Sequence, residues 1–279
     1  MFPVRRKTQL SEDVFDFDIE APRIAKKRQP GQFVIVRVAE GCERTPLTIA
    51  DADAGRGTIR LVVQRVGTST RKLCDLSEGE AIRDVVGPLG KPTHIENWGH
   101  CVCIGGGVGI APIYPITRAA KEAGNRITSI LGARTQDLLI LVDQMAELSD
   151  EAIVITDDGS SGKQGLVTDA LRELVGRGEE IDMVICIGPT VMMKFVALLT
   201  KELNLPTLVS LNPIMIDGTG MCGGCRVQVG SETKFTCVDG PEFDGHLVDF
   251  DDLMKRQRVY FGQEQESLKH YHEKCKLGA

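Results

Sequence analysis

The chain has 279 residues, 42% hydrophobic and 26% charged, which is enough apolar material for two domains or three small ones and excludes disorder or a collagen-like fibre. Thirty-three Lys and Arg stand against 39 Asp and Glu, a net charge of -6 with no long basic run, so a nucleic-acid-binding surface has no support. No apolar stretch reaches the ~20 residues of a membrane helix, and the acidic segment at residues 12–18 falls where an export signal would place its apolar core. A cytoplasmic protein with no membrane span is expected. Nine cysteines, an odd number in such a setting, point to metal or redox chemistry rather than a disulfide framework.

In chain order, β-rich runs at residues 14–19, 32–37, 58–65 and 81–86 are separated by turn signals such as Pro30-Gly31 and Gly55-Arg56-Gly57. Short strands at this spacing predict a small antiparallel barrel over residues 1–97. Two motifs lie within it: Arg44-Thr45-Pro46-Leu47-Thr48 and Gly67-Thr68-Ser69-Thr70. An arginine offers a fork for a phosphate and a threonine hydroxyl can donate to a ring nitrogen, although each motif alone reads equally well as a solvated charge or a capped turn.

From Trp98 the pattern changes. Apolar runs at residues 100–104, 126–131, 152–156 and 183–187 alternate with helical segments at 111–123, 137–148, 165–176 and 190–203, which predicts a Rossmann-like α/β unit with a parallel sheet over residues 98–205. The loop from Gly105 through Gly107, Val108 and Gly109 to Pro112 joins its first strand to its first helix, where glycines let a backbone approach a pyrophosphate. The spacing is not GxGxxG, and Arg134 rather than a lone acid follows the second strand, so a structural turn is the alternative. Asp157-Asp158 and Gly188-Pro189 also follow apolar strands, placing three loops on one carboxyl edge.

Residues 206–279 are rich in glycine and cysteine and then polar, with a helix expected over residues 250–276. Cys222, Cys225 and Cys237, set among glycines, have the spacing of a [2Fe-2S] loop. Plant-type loops carry another cysteine ahead of the close pair; Asp217 holds that place, and a carboxylate is an anionic iron donor. A zinc site with three cysteines is the alternative, although structural zinc usually takes two Cys-x-x-Cys or Cys/His pairs. Cys101, Cys103 and Cys186 read as core residues, and Cys42, Cys74 and Cys275 have no evident partner.

The order of these motifs, Arg-x-Pro-Leu-Thr, Gly-x-x-Thr, a glycine loop ending Gly-Ile-Ala-Pro, then Cys186-x-Gly188-Pro189, resembles the ferredoxin-NADP reductase superfamily over residues 3–200. With the C-terminal cysteine loop, the whole chain is similar to the branch holding the electron-transfer subunit of dihydroorotate dehydrogenase B and the small subunit of NADH-dependent reduced ferredoxin:NADP oxidoreductase. That resemblance implies FAD, NAD(H) and a [2Fe-2S] cluster, and a fold of barrel, nucleotide domain and cluster domain. One aspartate and three cysteines is the ligand set of the transhydrogenase, and Asp217, Cys222, Cys225 and Cys237 match it. It further implies that Arg44, Pro46, Leu47 and Thr48 surround the FAD isoalloxazine and pyrophosphate, with Gly67, Thr68, Ser69 and Thr70 on the phosphates. Gly107, Val108, Gly109 and Pro112 would lie under the nicotinamide nucleotide, with Asp157 and Asp158 near its ribose. Arg134 is the residue that could instead take a 2'-phosphate. No catalytic side chain is required for hydride transfer to a flavin. The implied partner is a larger subunit carrying FAD, further clusters and NADP(H), through which ferredoxin is reached. An electron-transfer subunit of a dihydroorotate dehydrogenase and an iron–sulfur redox sensor are the competing readings.

Overall fold

The computed structural model describes the backbone of residues 1–277 and the side chains of residues 1–273, so Cys275 lies outside the described side chains. The first unit comprises strands β1 (Phe2–Ser11), β2 (Val14–Glu20), β3 (Phe33–Arg37), β4 (Thr45–Asp53), β5 (Thr58–Gln64), β6 (Ala81–Ile82) and β7 (Asp84–Leu89). Helices α1 (Pro22–Ala25) and α2 (Thr68–Asp75) interrupt them. The sheet order is β6-β1-β2-β5-β4-β3-β7. Its two end strands are consecutive in sequence, separated only by Arg83, so the chain itself joins the sheet ends and leaves a nearly closed antiparallel barrel. Phe17, Ile19, Ile49, Ile59 and Leu61 fill it, each at most 1% exposed.

β1 was not foreseen because it lacks apolar alternation. Cross-strand charge holds it instead: Arg6 reaches Asp16 at 2.9 Å and Asp18 at 2.8 Å, and Arg60 of β5 reaches Asp16 at 2.9 Å. Asp16 is buried, and the two guanidiniums supply the partners without which a buried carboxylate would be costly. β4 and α2 were likewise not anticipated as elements.

The second sheet contains β8 (His100–Gly106), β9 (Arg126–Ala133), β10 (Glu151–Thr156), β11 (Lys163–Gln164), β12 (Met183–Ile187) and β13 (Thr207–Ser210), with β16 (Glu242–Asp244) at its edge. The order is β11-β10-β9-β8-β12-β13-β16, parallel throughout except for β16 against β13. Helices α3 (Ile110–Glu122), α4 (Val142–Leu148), α5 (Val167–Gly176) and α6 (Thr190–Glu202) cross over. Strand order reverses at central β8, the place where α/β sheets open a crevice at their carboxyl edge.

The remaining segment forms a hairpin, β14 (Arg226–Val229) and β15 (Glu232–Phe235), then α7 (Thr236–Asp239), α8 (Phe250–Gln257) and α9 (Phe261–Leu277). The expected single tail helix is therefore two. α9 returns to the barrel, where Ser267 Oγ donates to Thr68 Oγ1 at 3.0 Å and Tyr271 bonds Asp75 of α2. None of the described helices is long and apolar enough to cross a membrane.

Two contacts fix how the units meet. Arg118 of α3 holds Asp51 of β4 through two hydrogen bonds, 2.7 and 3.1 Å, with Arg28 on the same carboxylate. Farther round the seam, Thr93 Oγ1 donates to Glu242 Oε1 at 2.8 Å, directly against Gly31 of the barrel. Burial pushes the Glu242 carboxyl up to about 7, partly countered by that hydrogen bond.

Candidate functional site

A cavity of about 1270 Å³ opens between the barrel and the carboxyl edge of the parallel sheet. From the barrel it is walled by residues 45–48 of β4 and by Thr70 of α2, so Pro46, Leu47, Thr48 and Thr70 share one wall. From the sheet come Gly107, Val108, Gly109 and Pro112 of the first loop, Arg134 and Asp157 of the next two, and Gly188 and Pro189 after β12. Four loops from distant parts of the chain thus converge on one volume.

The first of these loops fits a dinucleotide. A Cβ on Gly109 would stand 2.4 Å from the Ile187 carbonyl oxygen, so only glycine lets this turn close against β12. α3 begins at the next residue, but the Ile110 N–H is taken by the Gly107 carbonyl and Pro112 has no N–H, so contact with an anion falls to the N–H groups of the glycine loop itself. The charges on the walls are mixed: Arg134 and Arg172 against Asp157 and Glu202. Asp158 is not on the wall. It closes its own turn, accepting from Ser160 N–H at 3.0 Å and Ser160 Oγ at 2.6 Å, and these bonds hold its carboxyl below the usual range.

Of the barrel motifs, Gly67, Thr68, Ser69 and Arg44 also stand outside the large cavity. Ser69 Oγ donates to Glu43 Oε2 at 3.0 Å, which ties the N-terminal turn of α2 to the loop carrying Arg44. The exposed Arg44 side chain lines a neighbouring pocket of about 380 Å³ with Arg37 and Asp84. Thr70 Oγ1 accepts from Gly67 N–H at 3.0 Å and Val66 N–H at 3.1 Å. The two loops therefore adjoin, and a flavin pyrophosphate beside the α2 N-terminus would be within their combined reach.

The cysteine loop is shaped by its glycines and by the hairpin. Gly218, Gly220 and Gly223 have positive φ, and a Cβ on Gly218 would meet Leu89 of β7 at 2.6 Å. β14 follows Cys225 and β15 precedes Cys237, so the register Arg226↔Phe235 returns the eleven intervening residues and brings Cys237 beside Cys225, their sulfurs 3.2 Å apart. Cys222 Sγ lies 3.4 Å from Asp217 Oδ1. The four donors thus form two pairs. Among the described residues no three His, Cys, Asp or Glu gather as ligands of one ion; one pair to each of two irons is how a two-iron centre would use these donors.

The donors differ in charge state: Asp217 is held as an anion, whereas Cys237 must give up a proton to bind a metal. Burial and the Cys225 thiol push the Cys237 thiol up to about 12, a state that coordination to iron reverses by stabilising thiolate. For Asp217, desolvation works upward, but hydrogen bonds from Thr219 N–H and from the Cys222 thiol and N–H hold the carboxyl below the usual range, ready as an anion. Cys225 and Cys237 pack on Phe33, Ile35 and Met215, seating the loop on the barrel, whereas Cys222 is exposed. The buried Cys101, Cys103 and Cys186 belong to the sheet core.

Sequence reasoning missed Ser210 and Asn212, which complete the cavity wall. Ser210 ends the last parallel strand and Asn212 follows it, a place where ligand-binding loops occur, but that strand has only four residues after a proline and was not recognised.

Two family models match: "Iron-sulfur cluster binding domain of dihydroorotate dehydrogenase B" over residues 212–249 and "Oxidoreductase NAD-binding domain" over residues 103–198. A Thermotoga maritima protein named dihydroorotate dehydrogenase B (NAD(+)), electron transfer subunit homolog, is 53% identical over 95% of this chain and 94% of its own. A Methanocaldococcus jannaschii protein, named the probable electron transfer subunit of that enzyme, is 36% identical over 80% and 81%. Among solved structures, one described by flavin-based electron bifurcation in the NADH-dependent reduced ferredoxin-NADP oxidoreductase superposes with a TM-score of 0.92 at 51% identity, covering 97% of this chain and 98% of that one.

Proposed function

The chain belongs to the family of dihydroorotate dehydrogenase B electron-transfer subunits and their homologues, and from that membership we propose a role in electron-bifurcating transhydrogenation between NADH and NADP. In this reading it is an oxidoreductase subunit that exchanges hydride with NAD(H) and passes single electrons to a larger flavin and iron–sulfur subunit, and through it to ferredoxin. Bound FAD takes up a hydride and releases electrons singly, and a [2Fe-2S] cluster carries one at a time.

The residues supply positioning. We assign FAD to residues 1–97, with Thr48 and Leu47 at the ring end and Arg44 with the α2 N-terminus at the phosphates; the nucleotide to residues 98–205; and the cluster to residues 206–279 through Asp217, Cys222, Cys225 and Cys237. Gly107, Val108 and Gly109 offer backbone N–H groups to the nucleotide phosphates. Asp157 and Glu202 on the wall oppose a 2'-phosphate, and Arg172, 4.0 Å from Glu202, is partly neutralised by it, which favours NADH over NADPH against the opposite pull of Arg134 on the same wall.

One observation carries the choice of reaction. The chain is 51% identical over 97% of its length to the structure described by electron bifurcation; the 53% relative carries the dihydroorotate name only as a homolog, and the Methanocaldococcus jannaschii relative, named as the probable subunit itself, is at 36%. The isolated chain, loaded with FAD, iron and sulfide, is expected to reduce an artificial dye with NADH but to couple NADPH, NAD and ferredoxin only with its larger subunit. A native partner that carries FMN and oxidises dihydroorotate would assign the chain to the other enzyme.

A further inference from the structure

Asn212 stands on the cavity wall in the short loop between β13 and Asp217, and its side chain is held from behind. Gln257, the last residue of α8, places Nε2 3.0 Å from the Asn212 backbone oxygen and 3.0 Å from its side-chain Oδ1. A backbone carbonyl can only accept, so the Gln257 atom facing it is the amide nitrogen. The Asn212 atom facing that same nitrogen is therefore the oxygen. Thr190, at the N-terminus of α6, completes the latch: its hydroxyl lies 2.9 Å from Gln257 Oε1 and 3.1 Å from Asn212 Oδ1. This arrangement settles which end of the Asn212 amide is free. Oδ1 is engaged, whereas Nδ2, a double donor, has no partner among the described residues.

We propose that Asn212 Nδ2–H binds the carboxamide oxygen of the nicotinamide ring, with Gln257 as the positioning residue; this rests on the NAD(H) reading above. The cavity's glycine loop, the candidate phosphate cradle, lies on the β8 side. Asn212 lies across β12 from it, next to Gly188 and Pro189 and on the same cavity as Thr48 of the barrel. A neutral, oriented amide donor is poorly suited to a phosphate, which draws Arg or helix N-termini, and well suited to a neutral carbonyl oxygen. The latch crosses a boundary as well, because Gln257 comes from the segment that follows the cluster loop. The nucleotide site is thereby completed by the cluster region.

The test is equilibrium titration of NAD+ and of its thionicotinamide analogue, whose sulfur is the weaker acceptor, on the FAD- and iron-loaded protein. Asn212→Ala is expected to weaken NAD+ by ~3- to 10-fold, the range of one lost hydrogen bond, while weakening the thio analogue less, so that wild-type preference for the oxygen compound narrows. Asn212→Asp keeps the shape and the Gln257 contact but substitutes an acceptor, and is expected to weaken NAD+ more than Asn212→Ala. Gln257→Leu releases the amide and is expected to weaken NAD+ with FAD and iron contents unchanged. Equal NAD+ affinity in wild type and Asn212→Asp, or equal losses for NAD+ and the thio analogue in Asn212→Ala, overturns the assignment alone. Wild-type protein that does not bind NAD+ overturns the functional reading, and the assignment with it.

Discussion

Glu242→Gln isolates a carboxyl wedged where barrel, sheet and cluster region meet. Glu242 lies opposite Ser210 across the β13–β16 ladder, accepts from the Thr93 hydroxyl, and is raised to about 7 by burial. Because its folded-state value is above that of an unfolded glutamate, the native state holds this proton more tightly. The resulting stabilisation is complete below the ordinary carboxyl range and is lost as pH rises towards and through 7. The shift implies a loss of about 2.5 kcal/mol between pH 5 and pH 8. Glutamine keeps the shape and still accepts from Thr93 but does not titrate. In urea unfolding of the loaded protein at pH 5, 6, 7 and 8, the stability of Glu242→Gln relative to wild type should climb by about that amount across the series. Parallel curves would refute the argument, showing that water or a neighbouring cation already solvates the ionised carboxylate.

Gly218→Ala should be severe, since φ is +75° and the new Cβ would meet Leu89 at 2.6 Å; a loss of about 2 kcal/mol and lower iron content by colorimetric assay are expected. Cys225→Ser should strip or destabilise the iron–sulfur spectrum while Cys186→Ser leaves it intact, and zinc in place of iron and sulfide in the purified protein would defeat the ligand assignment. Arg44→Ala should release FAD more readily by removing a charge-assisted phosphate contact worth about 1.5 to 3 kcal/mol; flavin retained as tightly as in wild type, measured by fluorescence after gel filtration, would remove Arg44 from the site.

The parallel sheet was legible because its strands are buried on both faces and read as continuous apolar runs. His100–Gly106 is buried along its whole length. The barrel was half legible. Val14–Glu20 and Thr58–Gln64 carry apolar cores, but Phe2–Ser11 is held by Arg6 on Asp16 and Asp18, pairings that exist only after folding. The cluster ligands could be proposed from spacing, whereas their separation into two pairs depends on the hairpin register. Asn212 could not be found by motif at all. Its significance comes from Thr190 and Gln257, which are distant in sequence and meet only in the folded chain.

Asn212 and Asp217 are five residues apart, and a stretch of that length spans at most ~18 Å even when fully extended. Most connections between domains tolerate inserted residues at small entropic cost. Under the proposed assignments this one is a ruler: each residue added between the two would lengthen the gap between nucleotide and cluster or loosen the nucleotide wall. The number of residues from 212 to 217 should accordingly withstand sequence drift far better than their identities, and insertion mutants here should lose electron throughput while still binding both groups.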